Sequence, residues 1–416
     1  MTGADPTTNR LRQYDAVLSA AAMLIDNGQS TEMTATAVQR LDRGLGIDAV
    51  VEPTWSTLTL TAAGSRDILR MVRVNPTAVN MRRVGTLMAV IDRAEDGPLA
   101  VDEVEAAVRQ AAELPVYGNA IFAAACVTGA CALSVIFGAT NPLVVLLVAV
   151  GAALGGVLRR WLGARGIGPL VQAFGAALVA GAVGGVAGHL GLGAAAGLVA
   201  LCPAMVLVPG PHILNGTLDV LNLRIPLGLA RLGFSGLLLA AIAGGLLLGL
   251  AAAGQTVAIN APTGSAPWYL DLIAAGVAAA SYAAYWTVPW RMVVWPIGVG
   301  MAAHALHWWA ANHGMGLAGS AFVACLLVGI VLSPVATRLR IPFAAIGFAS
   351  VVALVPGVFA FRALSGFVQF SRAPSTELLT TILSDANQVV LTVAAMTLGL
   401  CIPKFVYLSV IGRSRK

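Results

Sequence analysis

Asp219 is the only acid close to either of two Val-Pro-Gly triplets in this chain, at 208–210 and 355–357, and polar His212 and Asn215 lie between it and the first triplet. Proline removes a backbone donor and cannot continue a helix, so each triplet interrupts an apolar segment and frees N–H and C=O groups from their intrahelical partners. In a bilayer such groups persist only where they line water or hold a ligand, which makes Pro209, Gly210, Pro356 and Gly357 candidate binding residues. A zwitterion needs a cation or a helix amino terminus at its carboxylate, and an anion or carbonyl ends at its ammonium. Arg231 and Arg362 are candidate carboxylate partners. Asp219 could receive the ammonium group or a coupling proton, and His212 and Asn215 could contact a substrate hydroxyl. Two blander readings compete: each Pro-Gly is a packing kink, and Asp219 forms a solvated pair with Arg224.

The composition says what must position these groups. With 58% hydrophobic and 11% charged residues and a mean hydropathy of +0.84, the 416 residues cannot form an ordinary soluble globule. The expected fold class is an α-helical polytopic membrane protein with a small α+β cytosolic amino-terminal domain. Fifteen of the 19 acids fall in the first 118 residues, and only Asp219, Asp271, Glu377 and Asp385 follow. The formal charge is therefore −4 before that boundary and +10 after it, so the basic pI of about 9.4 reflects membrane-flanking arginines and not nucleic-acid binding. The five cysteines lie in apolar stretches without metal-ligand spacing and read as reduced packing residues. Only two lysines are present, Lys404 and Lys416, and neither follows a glycine-rich phosphate loop, which excludes direct ATP drive. His304 and His307 are one helical turn apart, but Trp308 and Trp309 mark them as part of an outer interfacial belt.

Positions 209 and 356 are 147 apart, and Gly129 with Gly276, Pro142 with Pro289, and Gly151 with Gly298 keep the same offset. Four landmarks at one ungapped spacing predict a duplicated membrane part. Ten spans are expected, at about 118–138, 142–158, 168–189, 194–209 and 228–253, then 268–287, 291–309, 316–333, 342–357 and 387–411. With the amino terminus inside, twelve arginines and lysines fall on the cytoplasmic side and only Arg362 and Arg372 outside, which predicts cytoplasmic termini in the cell inner membrane. Five spans per repeat is an odd number, so the repeats are inverted and the two breaks face one midplane cavity. The domains are then 1–114, 115–257 and 262–416. In the first, helices are expected at 11–25, up to about 45, at 79–93 and at 102–113, the last with Asp102 as its cap. Strands are expected at 48–51, 56–61 and 68–74. No catalytic constellation appears there, and an enzyme is not expected.

The order of parts resembles the threonine/serine exporter family: an amino-terminal domain of about 110 residues, five spans ending in the 207–211 Leu-Val-Pro-Gly-Pro run, then Asn215, Gly216 and Asp219, with Gly228, Arg231, Pro356, Gly357 and Arg362 downstream. The resemblance implies secondary export of threonine and serine by proton antiport, without a cofactor. Its partners would be the amino acid, protons and the bilayer, and a homo-oligomer is compatible with it. The same modules as separate chains resemble proteins of dicarboxylate export, so a succinate-like substrate stays open, as does an uncoupled channel.

Overall fold

Residues 6–64, 68–255, 266–339, 343–371 and 373–414 are described by a computed structural model. The expected basic sites Arg340, Arg372, Arg415 and Lys416, and the junction of the two halves at 256–265, lie outside the described residues.

The amino-terminal part runs α1 (Pro6–Asp26), α2 (Thr31–Leu45), β1 (Ala49–Pro53), β2 (Thr57–Ala62), β3 (Ile68–Arg73), α3 (Met81–Ile91) and α4 (Val101–Glu113). Strand alternation in β2 puts Leu58 and Leu60 inward at 0% exposure, and the three strands pair antiparallel in chain order. Helix α2 starts at Ser30, whose hydroxyl accepts from the Met33 N–H, and stops at Gly46, where a φ of 67° suits glycine. Asp42 ties this helix to the sheet by accepting from the Ala49 N–H, and burial pushes its carboxyl up to about 6. One expectation fails here. Asp102 does not cap α4, because Ala100 holds that position and Arg12 draws the Asp102 carboxylate to itself along with both oxygens of Glu105. That guanidinium also holds the Glu105 carboxyl below its usual range.

The first half of the membrane part is α5 (Asn119–Ile136), α6 (Pro142–Ala164), α7 (Pro169–His189), α8 (Ala196–Met205), α9 (Gly210–Leu221) and α10 (Ile225–Ala252). The second is α11 (Trp268–Tyr285), α12 (Trp290–Asn312), α13 (Leu317–Arg338), α14 (Phe343–Val351), α15 (Gly357–Phe370) and α16 (Thr376–Ser414). Among the described residues, six helices are long and apolar enough to cross a membrane, or up to eight if each bent pair counts as one span. α11 and α12 are not among the six: indoles, Asp271 and two imidazoles lower their hydropathy. The chain is a polytopic helical membrane protein.

Small residues set the packing. A Cβ on Gly181 would lie 2.2 Å from the Leu246 carbonyl oxygen, and one on Gly245 or Gly249 would lie 2.2 Å from the Phe174 or Leu178 oxygen, so α7 and α10 touch backbone to backbone. The second half repeats the device, with a Cβ on Gly399 falling 2.6 Å from the Phe322 oxygen between α13 and α16. Neighbour relations repeat too: α6 lies on α7 and α9 on α10, as α12 lies on α13 and α15 on α16, while α5 against α11 joins the halves. Gly245→Val should therefore lower the melting temperature of the purified chain far more than Gly244→Val next to it, whose Cβ would meet only the Phe174 ring at 3.7 Å. Equal losses would mean that the backbone contact is not what holds α7 to α10.

Candidate functional site

Both interruptions are real and alike. α8 and α9 meet at 60°, the second bent pair at 55°, and the prolines at the two corners adopt nearly the same backbone, Pro209 with φ −80° and ψ 59°, Pro356 with φ −77° and ψ 53°. α8 has only ten residues, about 15 Å at the helical rise, so neither piece crosses a ~30 Å core alone. The two corners touch. Gly357 lies over Met205 and Val208, and a void of about 10 Å³ between the triplets is lined by Val208, Gly210, Val355 and Gly357 with Tyr282 beside them. Its size suits at most one water, not an amino acid. The Tyr282 hydroxyl donates to the Met205 carbonyl at 3.2 Å and takes up one of the oxygens freed at the corner.

The room for a ligand lies on the other flank of the first corner. A cavity of about 490 Å³ is bounded by Pro209, Pro211 and His212, by Arg159 and Arg160 at the end of α6, and by Thr77 of the β3–α3 connection. Arg160 donates to the Tyr117 carbonyl at 2.9 Å and stacks 4.1 Å over Phe122, while its buried Nε has no hydrogen bond. Arg159 lies 5.2 Å over the Tyr285 ring. Among the described residues, no carboxylate lines this cavity. Two cations beside water-accessible space can accept an anion; the start of α9 adds no free donor, because the Gly210 N–H bonds the Val208 carbonyl, Pro211 has none, and the His212 and Ile213 N–H groups both bond the Pro209 carbonyl.

The other expected residues are placed elsewhere. Asp219 is buried at 2% exposure between two guanidiniums, with Arg231 Nε at 3.3 Å and Arg224 Nη1 at 3.7 Å, so it is not a solvated surface pair. Its Oδ2 also accepts from the Thr31 hydroxyl at 3.0 Å, and Arg231 Nη2 donates to that same hydroxyl at 3.3 Å. Asn215 Nδ2 donates to the Gly28 carbonyl at 3.3 Å. Asn215, Asp219 and Arg231 thus hold the first turn of α2 on the membrane helices, and Lys404 of α16 grips Glu32 of the same turn at 3.0 Å. Arg362 pairs with Asp385 of α16 at 3.1 Å. Both arginines expected to meet a substrate carboxylate therefore already face an acid. His304 is also not part of an outer belt: it is 3% exposed, and its Nδ1 meets Asp271 Oδ2 at 2.8 Å.

Arg159 and Arg160 were legible in the sequence only as cytoplasmic-side charge. Their adjacency at the end of a span was the one signal of something more. Thr31 carried none, because no local pattern links residue 31 to residue 219.

Two family models match the chain. One, described as "Putative threonine/serine exporter", covers residues 15–253, and the other, described as "Threonine/Serine exporter, ThrE", covers residues 271–406. No curated protein and no solved structure matches the chain.

Proposed function

Since the chain belongs to the threonine/serine exporter family, we propose that it is a secondary exporter of threonine and serine that exchanges them for protons, and that the cavity beside the first corner is where the cytoplasmic amino acid is taken up. The observation that carries this reading is the pairing of that cavity with Arg159 and Arg160 and with the broken helix at Pro209. A substrate carboxylate binds the two guanidiniums, beside the start of α9. Its ammonium turns toward carbonyl oxygens at the corner. Its hydroxyl meets His212.

In this reading the chain forms two inverted five-span repeats, ten spans in all, in an inner-facing state, with both termini cytoplasmic in the inner membrane. The second corner, at Pro356 and Gly357, closes the route behind the substrate, and Asp219 with Arg231 holds the amino-terminal domain against the inner mouth. Rocking one repeat against the other would open the outer side. A dicarboxylate is the second reading, and one observation favours it: the cavity lining offers two cations and no acid for an ammonium group.

Labelled threonine, serine and succinate, tested in proteoliposomes of the full chain under an imposed pH gradient, separate the readings. Saturable exchange of threonine and serine, accelerated by the gradient, is the expected result. Succinate exchange alone would transfer the site to dicarboxylates. Conductance that does not saturate and ignores the gradient would make the protein a channel.

A further inference from the structure

Four acids follow residue 118, and their surroundings differ in kind. Asp219 and Asp385 each face arginine, whose guanidinium keeps its proton at every accessible pH. Glu377 is exposed at the start of α16. Asp271 alone is buried against an imidazole: it is 6% exposed, and His304 Nδ1 lies 2.8 Å from its Oδ2. The other ring nitrogen of His304, Nε2, is buried without a hydrogen bond, as is Nδ1 of His307, whose ring centre lies 5.9 Å from that of His304. A buried nitrogen without a partner is costly to keep, and ionisable groups inside a membrane bundle mark ion pathways and proton relays. Among the described residues no three His, Cys, Asp or Glu side chains are placed to hold a metal ion.

We propose that the Asp271–His304 pair takes up the coupling proton, with His307 as its relay, and that α11 transmits its occupancy to the substrate cavity. This rests on the proton-exchange reading above. The proton leaves an O–H bond of hydronium on the outer side and forms an N–H bond at His304, turning a carboxylate–imidazole pair into a carboxylate–imidazolium pair; on release that N–H bond breaks and an O–H bond to water forms. One proton enters and one departs, and no group is oxidised or reduced.

The position suits this. Trp268 and Tyr269 at the start of α11 and Trp309 near the end of α12 are all exposed at the same end of the bundle, as a membrane-interface belt would be. Asp271 lies one helical turn beyond Trp268, about 4.5 Å along the axis, within reach of protons from that interface. At its other end α11 meets the site: Tyr282 bonds the Met205 carbonyl at the first corner, and Tyr285 and Trp286 line the cavity. Asp271 and Tyr285 are about 21 Å apart along one rigid helix. A change of charge at one end that tilts α11 therefore moves the cavity wall at the other.

The charged and titratable groups of the packed elements leave the pair to itself. α5 brings Cys126 and Cys131; α13 brings Cys325 and, at its far end, Arg338; α14 and the turn after it bring none. α11 adds Tyr269, Tyr282 and Tyr285, and α12 adds Arg291 at its start and His307, with His313 just past its end stacked on Trp309. Of these, His307 interacts with the pair, its ring centre 5.9 Å from that of His304.

The test uses the full chain. In weakly buffered detergent, threonine added to wild type should release protons, and Asp271→Asn and His304→Gln should release none. In proteoliposomes both variants should lose accumulation driven by a pH gradient by at least about tenfold, the scale of an ordinary coupling energy. One-for-one threonine exchange at equal pH, which moves no net proton, should continue in both and shows that they are folded. Gradient-driven accumulation and proton release that survive in both variants would overturn the inference and leave the export reading standing. Loss of exchange together with accumulation in monodisperse protein would make the pair structural and overturn it as well. A wild type that exchanges neither threonine nor serine would sink the export reading and the inference with it.

Discussion

Arg159→Gln and Arg160→Gln made together should lower threonine exchange at low substrate by at least about a hundredfold, because each removes a charge-assisted hydrogen bond to the carboxylate worth about 1.5–3 kcal/mol. The two single variants should differ. Arg160 also donates to the Tyr117 carbonyl and covers Phe122, so its loss loosens the cavity wall as well as the ligand. Arg159 lies over Tyr285, and its replacement should weaken substrate affinity with little change in thermal stability. Lysine at either position keeps the charge and loses the fork geometry, so Arg159→Lys should recover part of the exchange. The measurement is the concentration dependence of exchange, normalised to reconstituted protein. Unchanged half-saturation in the double variant would show that the substrate carboxylate does not bind in this cavity.

Asp219→Asn should release the amino-terminal segment from the membrane helices. It leaves Arg231, 3% exposed, without the acid that faces it, and breaking a buried pair from one side costs about 3–5 kcal/mol. Replacing both partners by apolar residues of similar size, Asp219→Leu with Arg231→Met, should be tolerated much better, since neither charge is then left alone. Thr31→Val removes the hydroxyl that Asp219 and Arg231 share and should loosen the same contact more mildly. Hydrogen exchange of α2 in the reconstituted chain reads the docking directly. The double replacement should keep gradient-driven flux, because the coupling proton is carried at Asp271 and His304. Loss of that flux from a folded double variant would move the proton to Asp219.

Much of this protein is local in the sequence. The length and apolarity of the segments dictate membrane helices, Pro-Gly dictates where two of them break, and the 147-residue offset places corresponding corners in both halves. Alternating Leu58 and Leu60 give the central strand, and Ser30 and Gly46 bound the helix between them. These follow from one stretch of chain at a time. What charges do to one another does not. Arg231 and Arg362 read as free cations because no acid lies next to them in the chain, yet Asp219 and Asp385 neutralise them across helix pairs. His304 sits among tryptophans in the sequence and reads as interfacial, but helix packing turns it inward to Asp271, 33 residues away. Arg159 and Arg160 read as a topology signal until the β3–α3 connection and the Pro209 corner bound a cavity beside them. A cation's role depends on which acids lie within a few ångströms, because the Coulomb energy falls with distance and with screening by water, and only the tertiary structure fixes both.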